Sequence, residues 1–176
     1  METGQRTECG IGGRTVLKNE MHLNFDAVSV NEAFARVAVA AFVAPLNPTM
    51  EEISDIKTAV SEAVTNAIIH GYDEDFFGRD QNAGREGECP QVYLRCKIMD
   101  DVLQVEVQDQ GKGIEDIDRA MEPLFTTKPE MDRSGMGFAF MEAFMDDLEV
   151  ISAPFQGTLV RMMKKLGTIP WIRQED

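Results

Sequence analysis

Residues 61–71 read Ser-Glu-Ala-Val-Thr-Asn-Ala-Ile-Ile-His-Gly and lie within an amphipathic helical pattern. Glu62, Asn66 and His70 are spaced four residues apart, so a helix would place them on one face. A carboxylate can accept a proton or orient a water molecule, and an amide oxygen can ligate a hard cation such as Mg²⁺. Taken alone, this face fits the polar edge of an ordinary helix equally well. His70 at the helix end is better explained as a capping or packing residue.

A second motif follows about forty residues later. Residues 105–114 read Val-Glu-Val-Gln-Asp-Gln-Gly-Lys-Gly-Ile, an alternating strand that runs into Asp-x-Gly-x-Gly. Gly111 and Gly113 let the backbone turn sharply and approach a ligand closely. Asp109, just before them, can accept a hydrogen bond from an exocyclic amine such as that of adenine. By itself the motif is weakly specific, because glycine-rich turns after strands are common.

Two further elements contain glycine. The run at residues 133–138 reads Arg-Ser-Gly-Met-Gly-Phe and opens an apolar helical segment. Free backbone N–H groups at a helix start favour phosphate oxygens, although the same pattern also describes a plain loop-to-helix junction. Gly157 and Thr158 enter the last strand and, taken alone, indicate only a turn.

The four motifs occur in the order Glu-x-x-x-Asn, Asp-x-Gly-x-Gly, Gly-x-Gly and Gly-Thr. In this order they resemble those of the GHKL nucleotide-binding superfamily, which includes gyrase-type, chaperone-type and histidine-kinase ATP-binding domains. Residues 18–23, 66–72 and 123–138 also resemble the family of anti-sigma F factors of spore-forming bacteria. The resemblance extends from about Lys18 to Lys165.

The resemblance implies an α+β fold of the Bergerat type, with a mixed, mostly antiparallel sheet covered on one face by helices. It implies ATP or ADP as the nucleotide and Mg²⁺ as the cofactor. Glu62 would act as general base, Asn66 would hold Mg²⁺ and Asp109 would bind the adenine amino group, supported by Thr158. Gly111 and Gly113 would admit the base and ribose. The remaining nucleotide-binding residues implied are Thr127, Lys128, Arg133, Ser134, Gly135, Met136 and Gly137.

The function implied is that of an anti-sigma factor and serine protein kinase. It would bind a sporulation sigma factor as a homodimer, and use Mg-ATP to phosphorylate a serine of an anti-anti-sigma protein. Arg36 is the candidate contact with a protein partner, although a solvated helix arginine is an equal alternative. A second hypothesis is a nucleotide-gated binding protein without relevant kinase activity, and a third is a detached ATPase fragment of a chaperone or topoisomerase.

The composition excludes several classes of protein. The chain has 176 residues, 43% of them hydrophobic, and a formal net charge of −14. So acidic a chain should be repelled by nucleic acid and by anionic membranes and should attract a basic protein, although solubility alone also explains the charge. The three cysteines follow no zinc or disulfide pattern and fit a reducing cytoplasm. There is neither a signal-peptide core nor an apolar run of about 20 residues.

We expect one domain at residues 17–166, with a loop insertion at residues 73–90. Residues 1–16 are predicted to be a disordered extension, and residues 167–176 a loose tail. Because similar proteins begin near Lys18, a further hypothesis is that translation starts at Leu17. We also expect residues 114–134 to form a lid over the nucleotide.

Local patterns predict the helices and strands in more detail. Capping boxes of the type Ser/Thr-x-x-Glu are predicted to begin helices at Ser29 and Thr49. The first helix carries Phe34, Val37, Ala38 and Ala41 at helical spacing, and the second carries Ile53, Ile56, Val60, Ala63, Val64 and Ala67 as a core stripe. Strands are expected at residues 21–25, and in hairpins at residues 92–108 and 148–163.

Overall fold

The backbone forms an antiparallel sheet of five strands. In a computed structural model of the chain, the structure describes residues 18–72, 89–122 and 135–167. The strands are β1 (Lys18–Asp26), β2 (Gln91–Met99), β3 (Val102–Gln108), β4 (Asp147–Ser152) and β5 (Thr158–Lys165). They lie in the order β1-β2-β3-β5-β4, with each neighbouring pair antiparallel. The predicted strands and hairpins are confirmed, with small shifts at their ends.

Helices cover one face of this sheet. They are α1 (Val30–Val43), α2 (Met50–Asn66) and α4 (Gly137–Phe144), and a further short helix, α3 (Ile117–Met121), has no buried residue. A 3₁₀ turn, Ala44–Leu46, follows α1, and a π-helical segment, Ala67–Gly71, continues α2. Alternate strand residues point into a core shared with the helices, as the two-residue period of a strand requires. The α+β fold predicted from the sequence is therefore confirmed. No helix in the three described ranges is long and apolar enough to cross a membrane.

The opposite face of the sheet carries a ladder of alternating charges across all five strands. Arg95 of β2 lies 2.6 Å from Glu20 of β1 and 3.4 Å from Glu106 of β3. Arg161 of β5 lies 2.9 Å from Glu106 and also pairs with Glu149 of β4. Burial alone would raise the pKa of Glu106, but the hydrogen bond from Arg161 and the charges of both arginines hold it below its usual value.

The two predicted capping boxes have different outcomes. At α2 the box is confirmed, since the Thr49 side chain accepts from the Glu52 amide and the Glu52 carboxylate accepts from the Thr49 amide. At α1 the helix begins at Val30 as predicted, but the capping box is absent, because the Ser29 side chain makes no capping hydrogen bond. Ser29 has helical dihedrals (φ −56°, ψ −28°) rather than the extended backbone that an N-cap side chain needs.

The apolar stripe predicted for α1 also differs from the face that is buried. Phe34 and Val37 are 53% and 57% exposed, whereas Ala35, Val39 and Val43 face the core. Both sets have helical spacing, because α1 is apolar on two sides, so periodicity could not distinguish them. The stripe on α2 is largely as predicted, with Ile53 only partly buried.

Candidate functional site

Helices α2 and α4 bring together three of the predicted site residues. Glu62 and Asn66 lie one turn apart near the end of α2. The first residue of α4, Gly137, packs directly against both. A methyl group on Gly137 would stand 3.0 Å from Oε2 of Glu62 and 3.3 Å from Nδ2 of Asn66. A helix start that offers free amides therefore adjoins a carboxylate and an amide side chain.

A second group of residues is centred on Asp109, at the end of β3. Its side chain is only 4% exposed, and Oδ1 accepts hydrogen bonds from the amides of Gly111 (2.8 Å) and Thr158 (3.3 Å). Burial raises the pKa of Asp109 to about 6, against the lowering effect of these two hydrogen bonds. These two amides therefore fix the orientation of the buried carboxylate, which can still accept further hydrogen bonds.

The loop after Asp109 and the β4–β5 turn pass so close to neighbouring backbone that only glycine fits at three positions. A methyl group on Gly111 would lie 2.0 Å from the carbonyl oxygen of Gly71, and one on Gly157 would lie 2.1 Å from that of Asp109. Gly157 also has φ +73°, in the region that favours glycine. Gly113, with φ +70°, faces Ala153 in the turn between β4 and β5. The end of the π-helical segment and this turn thus enclose the loop from two sides.

Thr158 is joined to Asp109 through the backbone in both directions. The Asp109 amide donates to the Thr158 carbonyl at 3.0 Å, and the Thr158 amide donates to Oδ1. The Thr158 hydroxyl lies 2.9 Å from the hydroxyl of Ser152, which also accepts from the Ile114 amide and donates to the Gly157 carbonyl. Ser152 therefore ties the β4–β5 turn to the glycine-containing loop.

The structure describes only part of the predicted phosphate-binding set. Gly135 has φ +64°, Met136 is the N-cap of α4 and Gly137 is its first residue. Arg36 lies on α1, where its guanidinium is 3.5 Å from Glu32. Thr127, Lys128, Arg133 and Ser134 lie outside the described residues, as do most of the expected lid, the N-terminal extension, most of the expected insertion and nearly all of the expected tail.

The donor set suits a magnesium ion that is bound together with phosphate. Within the described ranges, no cluster of three or more His, Cys, Asp and Glu side chains is arranged to hold a metal. Mg²⁺ commonly takes only one or two protein oxygens and completes its shell with substrate phosphates and water. The Asn66 side chain beside the start of α4 fits that requirement.

Three residues of this region were not singled out as site residues from the sequence. Gly71 lies against the Asp109 carboxylate, Tyr72 bonds to the amide of Gln110, and Ser152 joins the β4–β5 turn to the loop. In the sequence, Gly71 and Tyr72 stood out only as the end of residues 66–72, which resemble the anti-sigma F factor family. Tyr72 and Ser152 act on the backbone of distant segments, which no local pattern reveals.

Comparison with known proteins agrees with this geometry. Residues 25–164 match the histidine kinase-like ATPase domain. The anti-sigma F factor of Bacillus subtilis (strain 168) is 53% identical over 151 residues, covering 86% of this chain and 95% of that protein. The anti-sigma F factor of Oceanobacillus iheyensis is 54% identical, with the same coverage.

A likeness of fold is seen among solved structures. The RsbU and RsbW domains of a Mycobacterium tuberculosis protein superpose with a TM-score of 0.57 at 19% identity, covering 84% of this chain. This chain spans 32% of that longer one, and the likeness concerns the fold alone. By sequence identity over most of its length, the chain belongs to the anti-sigma F factor family and carries a histidine kinase-like ATPase domain.

Proposed function

We propose that this protein is an anti-sigma factor that holds a sporulation sigma factor and is also an ATP-dependent serine kinase. Its kinase substrate is an anti-anti-sigma protein. The observation that carries the kinase assignment is the contact of Gly137 with both Glu62 and Asn66. It joins a candidate base, a candidate Mg²⁺ ligand and a phosphate-binding helix start, within a chain of the anti-sigma F factor family.

The proposed reaction uses each of these groups. Glu62 takes the proton of the substrate serine hydroxyl, whose oxygen forms a bond to the γ-phosphorus of ATP. The bond from that phosphorus to the β–γ bridging oxygen breaks, and ADP leaves. The amides at the start of α4 stabilise the phosphate oxygens. A Mg²⁺ ion held by Asn66, when bound, neutralises charge on the transferring group.

The adenine end of the nucleotide is assigned to the Asp109 region. In the ionised state the buried carboxylate accepts a hydrogen bond from the adenine amino group. Burial excludes competing water, which strengthens that contact and favours adenine over a base without the amino donor. Thr158 and Gly111 hold the carboxylate in place through their amides.

Helix α1 is the proposed partner surface. Arg36 is partly exposed on α1, and its pairing with Glu32 restrains the guanidinium. The same helix exposes Phe34 and Val37, apolar side chains that a protein contact would cover. We assign Arg36 to sigma-factor binding, and Phe34 and Val37 to the homodimer interface.

The test of the kinase assignment is phosphoryl transfer from γ-labelled ATP with Mg²⁺ to the anti-anti-sigma protein encoded nearest this gene. We expect label on a serine of that protein with the wild type. Glu62→Ala should lose about 10²–10⁴-fold in rate while still binding nucleotide. Asn66→Ala should lose the Mg²⁺-dependent rate. Tight ATP binding without labelling of any candidate partner would contradict the kinase assignment and favour a nucleotide-gated binding protein.

The test of the partner assignment uses Arg36→Ala. We expect this variant to bind nucleotide as the wild type does and to lose affinity for the sigma factor, measured by titration calorimetry. Unchanged sigma-factor affinity would remove Arg36 from the interface.

Sedimentation of Phe34→Glu tests the dimer, which this charge should dissociate.

A further inference from the structure

The loop that follows β3 donates four backbone hydrogen bonds to three parts of the fold, namely β5, β4 and the end of the π-helical segment together with the next residue. The Asp109 amide donates to Thr158 of β5, and the Lys112 amide donates to the Gly71 carbonyl at the end of the π-helical segment. The Ile114 amide donates to Ser152 of β4 at 2.9 Å. The Gln110 amide donates to the hydroxyl of Tyr72 at 2.7 Å. Of these anchors, the Tyr72 hydroxyl is the only phenol.

Tyr72 is itself fixed at its other side. Its hydroxyl donates to the carbonyl oxygen of Gln91, the first residue of β2, at 2.7 Å. The residue is 9% exposed, and burial raises the pKa of Tyr72 to about 12. The hydroxyl therefore stays protonated over the whole physiological range, and it can donate to Gln91 and accept from Gln110 at the same time.

The peptide that Tyr72 holds is the one that directly follows Asp109. Gly71 and Tyr72 are consecutive residues. They accept hydrogen bonds from two amides of the loop, since Lys112 donates to the Gly71 carbonyl and Gln110 donates to the Tyr72 hydroxyl. Gly71 also lies against the Asp109 carboxylate itself. The direction of the Asp109 side chain thus depends on a backbone segment that Tyr72 connects to the first residue of β2.

We propose that Tyr72 is a positioning residue for nucleotide binding: its hydroxyl fixes the peptide between Asp109 and Gln110, so that the Asp109 carboxylate meets the adenine amino group. This inference rests on the proposed use of Asp109 as the adenine contact. Because Tyr72 acts at the base end, its loss affects the binding of ATP and ADP equally. The chemistry at Glu62, once ATP is bound, is left intact.

The experiment compares Tyr72→Phe with Tyr93→Phe. These are the two tyrosines of the chain, and Tyr93 lies on β2 with its side chain on the charged outer face of the sheet. Dissociation constants for Mg-ADP and Mg-ATP are measured by calorimetry, and KM for ATP and kcat by phosphoryl transfer. We expect Tyr72→Phe to raise both dissociation constants and KM by about 3- to 10-fold, because phenylalanine can make neither hydrogen bond of the hydroxyl and so releases the Gln110 amide from β2. The kcat at saturating ATP should stay within about two-fold, and Tyr93→Phe should match the wild type.

Amide hydrogen exchange separates positioning from general destabilisation. In Tyr72→Phe without nucleotide, exchange at the Gln110 amide should accelerate while exchange at Val107, within the β3–β5 ladder, stays as in the wild type. A merely destabilised protein would accelerate both amides alike, and that result would overturn the proposal.

Two other outcomes also overturn it: dissociation constants equal in the two tyrosine variants, or a fall in kcat with unchanged nucleotide affinity. Failure of the kinase assignment is seen separately, as wild-type protein that binds ADP but transfers no phosphate. The ADP constants then still decide the role of Tyr72. A wild type that binds neither nucleotide would overturn both.

Discussion

Gly71 lies directly against the carboxylate of Asp109. A methyl group on Gly71 would stand 2.9 Å from both Cγ and Oδ1 of that side chain, closer than carbon atoms approach in real structures. The end of the segment that carries Glu62 and Asn66 therefore touches the residue assigned to adenine. One continuous helical stretch, α2 with its π-helical extension, joins both ends of the proposed nucleotide site.

This contact predicts a strong effect of Gly71→Ala. The added methyl should displace the Asp109 carboxylate, lowering nucleotide affinity by about 10-fold or more and stability by about 1–3 kcal/mol. Calorimetry with Mg-ADP measures the first effect and urea unfolding the second. The control is Gly167→Ala, which strains a glycine at φ +74° near Leu46. It should also destabilise the fold but leave nucleotide affinity unchanged, and equal affinity losses in the two variants would contradict the assignment.

The sequence could predict this site only in part. The order of the motifs indicated Glu62, Asn66, Asp109 and Gly137, and the structure brings Gly137 to the first two of these residues. The roles of Gly71 and Tyr72 could not be found in the same way, because their contacts with Asp109 and Gln110 join residues 38 positions apart in the chain. Contacts of this kind depend on how the chain is folded, and they produce no regular residue spacing that could be recognised in the sequence.

Local signals were reliable where local chemistry determines the structure. The Thr49 box needs only four consecutive residues, and it formed as predicted. At Ser29 the partner expected within the box, Glu32, instead accepts a hydrogen bond from Ser61 on α2. A tertiary contact of Glu32 thus stands in place of the local one, so the start of α1 was predicted correctly but its capping box was not.

The pKa of Asp109 predicts how stability changes with pH. Below its unfolded value of 3.8 the carboxyl is protonated in both states, whereas between 3.8 and about 6 the folded protein binds more protons than the unfolded chain. Stability therefore falls as pH rises through this range, by about 3 kcal/mol in all. Asp109→Asn lacks this loss, so its unfolding free energy relative to wild type should rise between pH 4 and pH 7.

Urea unfolding of both proteins without nucleotide measures this difference at each pH. Nucleotide is left out because a bound ligand adds its own stabilisation. Parallel stability curves over the whole pH range would show that Asp109 ionises as an exposed carboxylate does. The same variant should lose affinity for Mg-ADP, so its gain in stability at neutral pH is accompanied by a loss of function.

Gly137→Ala should likewise keep or gain stability while losing activity, here in phosphoryl transfer. Alanine favours a helix over glycine by up to about 1 kcal/mol, so the variant should be as stable as the wild type or more so. The methyl, 3.0 Å from Oε2 of Glu62, should nevertheless displace this proposed base and reduce phosphoryl transfer by about 10-fold or more. Transfer assays and thermal unfolding on the same samples measure both. The control is Ala143→Gly at an exposed position of α4, which should lower stability without lowering transfer.

Ser61 links the proposed partner helix, α1, to α2, the helix that carries the proposed base Glu62. Its hydroxyl donates to Oε1 of Glu32 on α1, the same oxygen that lies 3.5 Å from Arg36. Ser61→Ala should destabilise the fold by about 1–2 kcal/mol, since it removes a partly buried hydrogen bond to a carboxylate. The exposed Ser54, on the same helix, provides the control, and Ser54→Ala should change stability by less than about 0.5 kcal/mol.

A double-mutant cycle with Glu32→Gln isolates the pair. If the hydrogen bond stabilises the packing of α1 on α2, the sum of the stability losses in the two single variants should exceed the stability loss in the double variant by about 0.5–2 kcal/mol. Additive losses would show that each residue acts through other neighbours. Since Glu32 restrains Arg36 as well, Glu32→Gln should also weaken sigma-factor binding, whereas Ser61→Ala should affect it less.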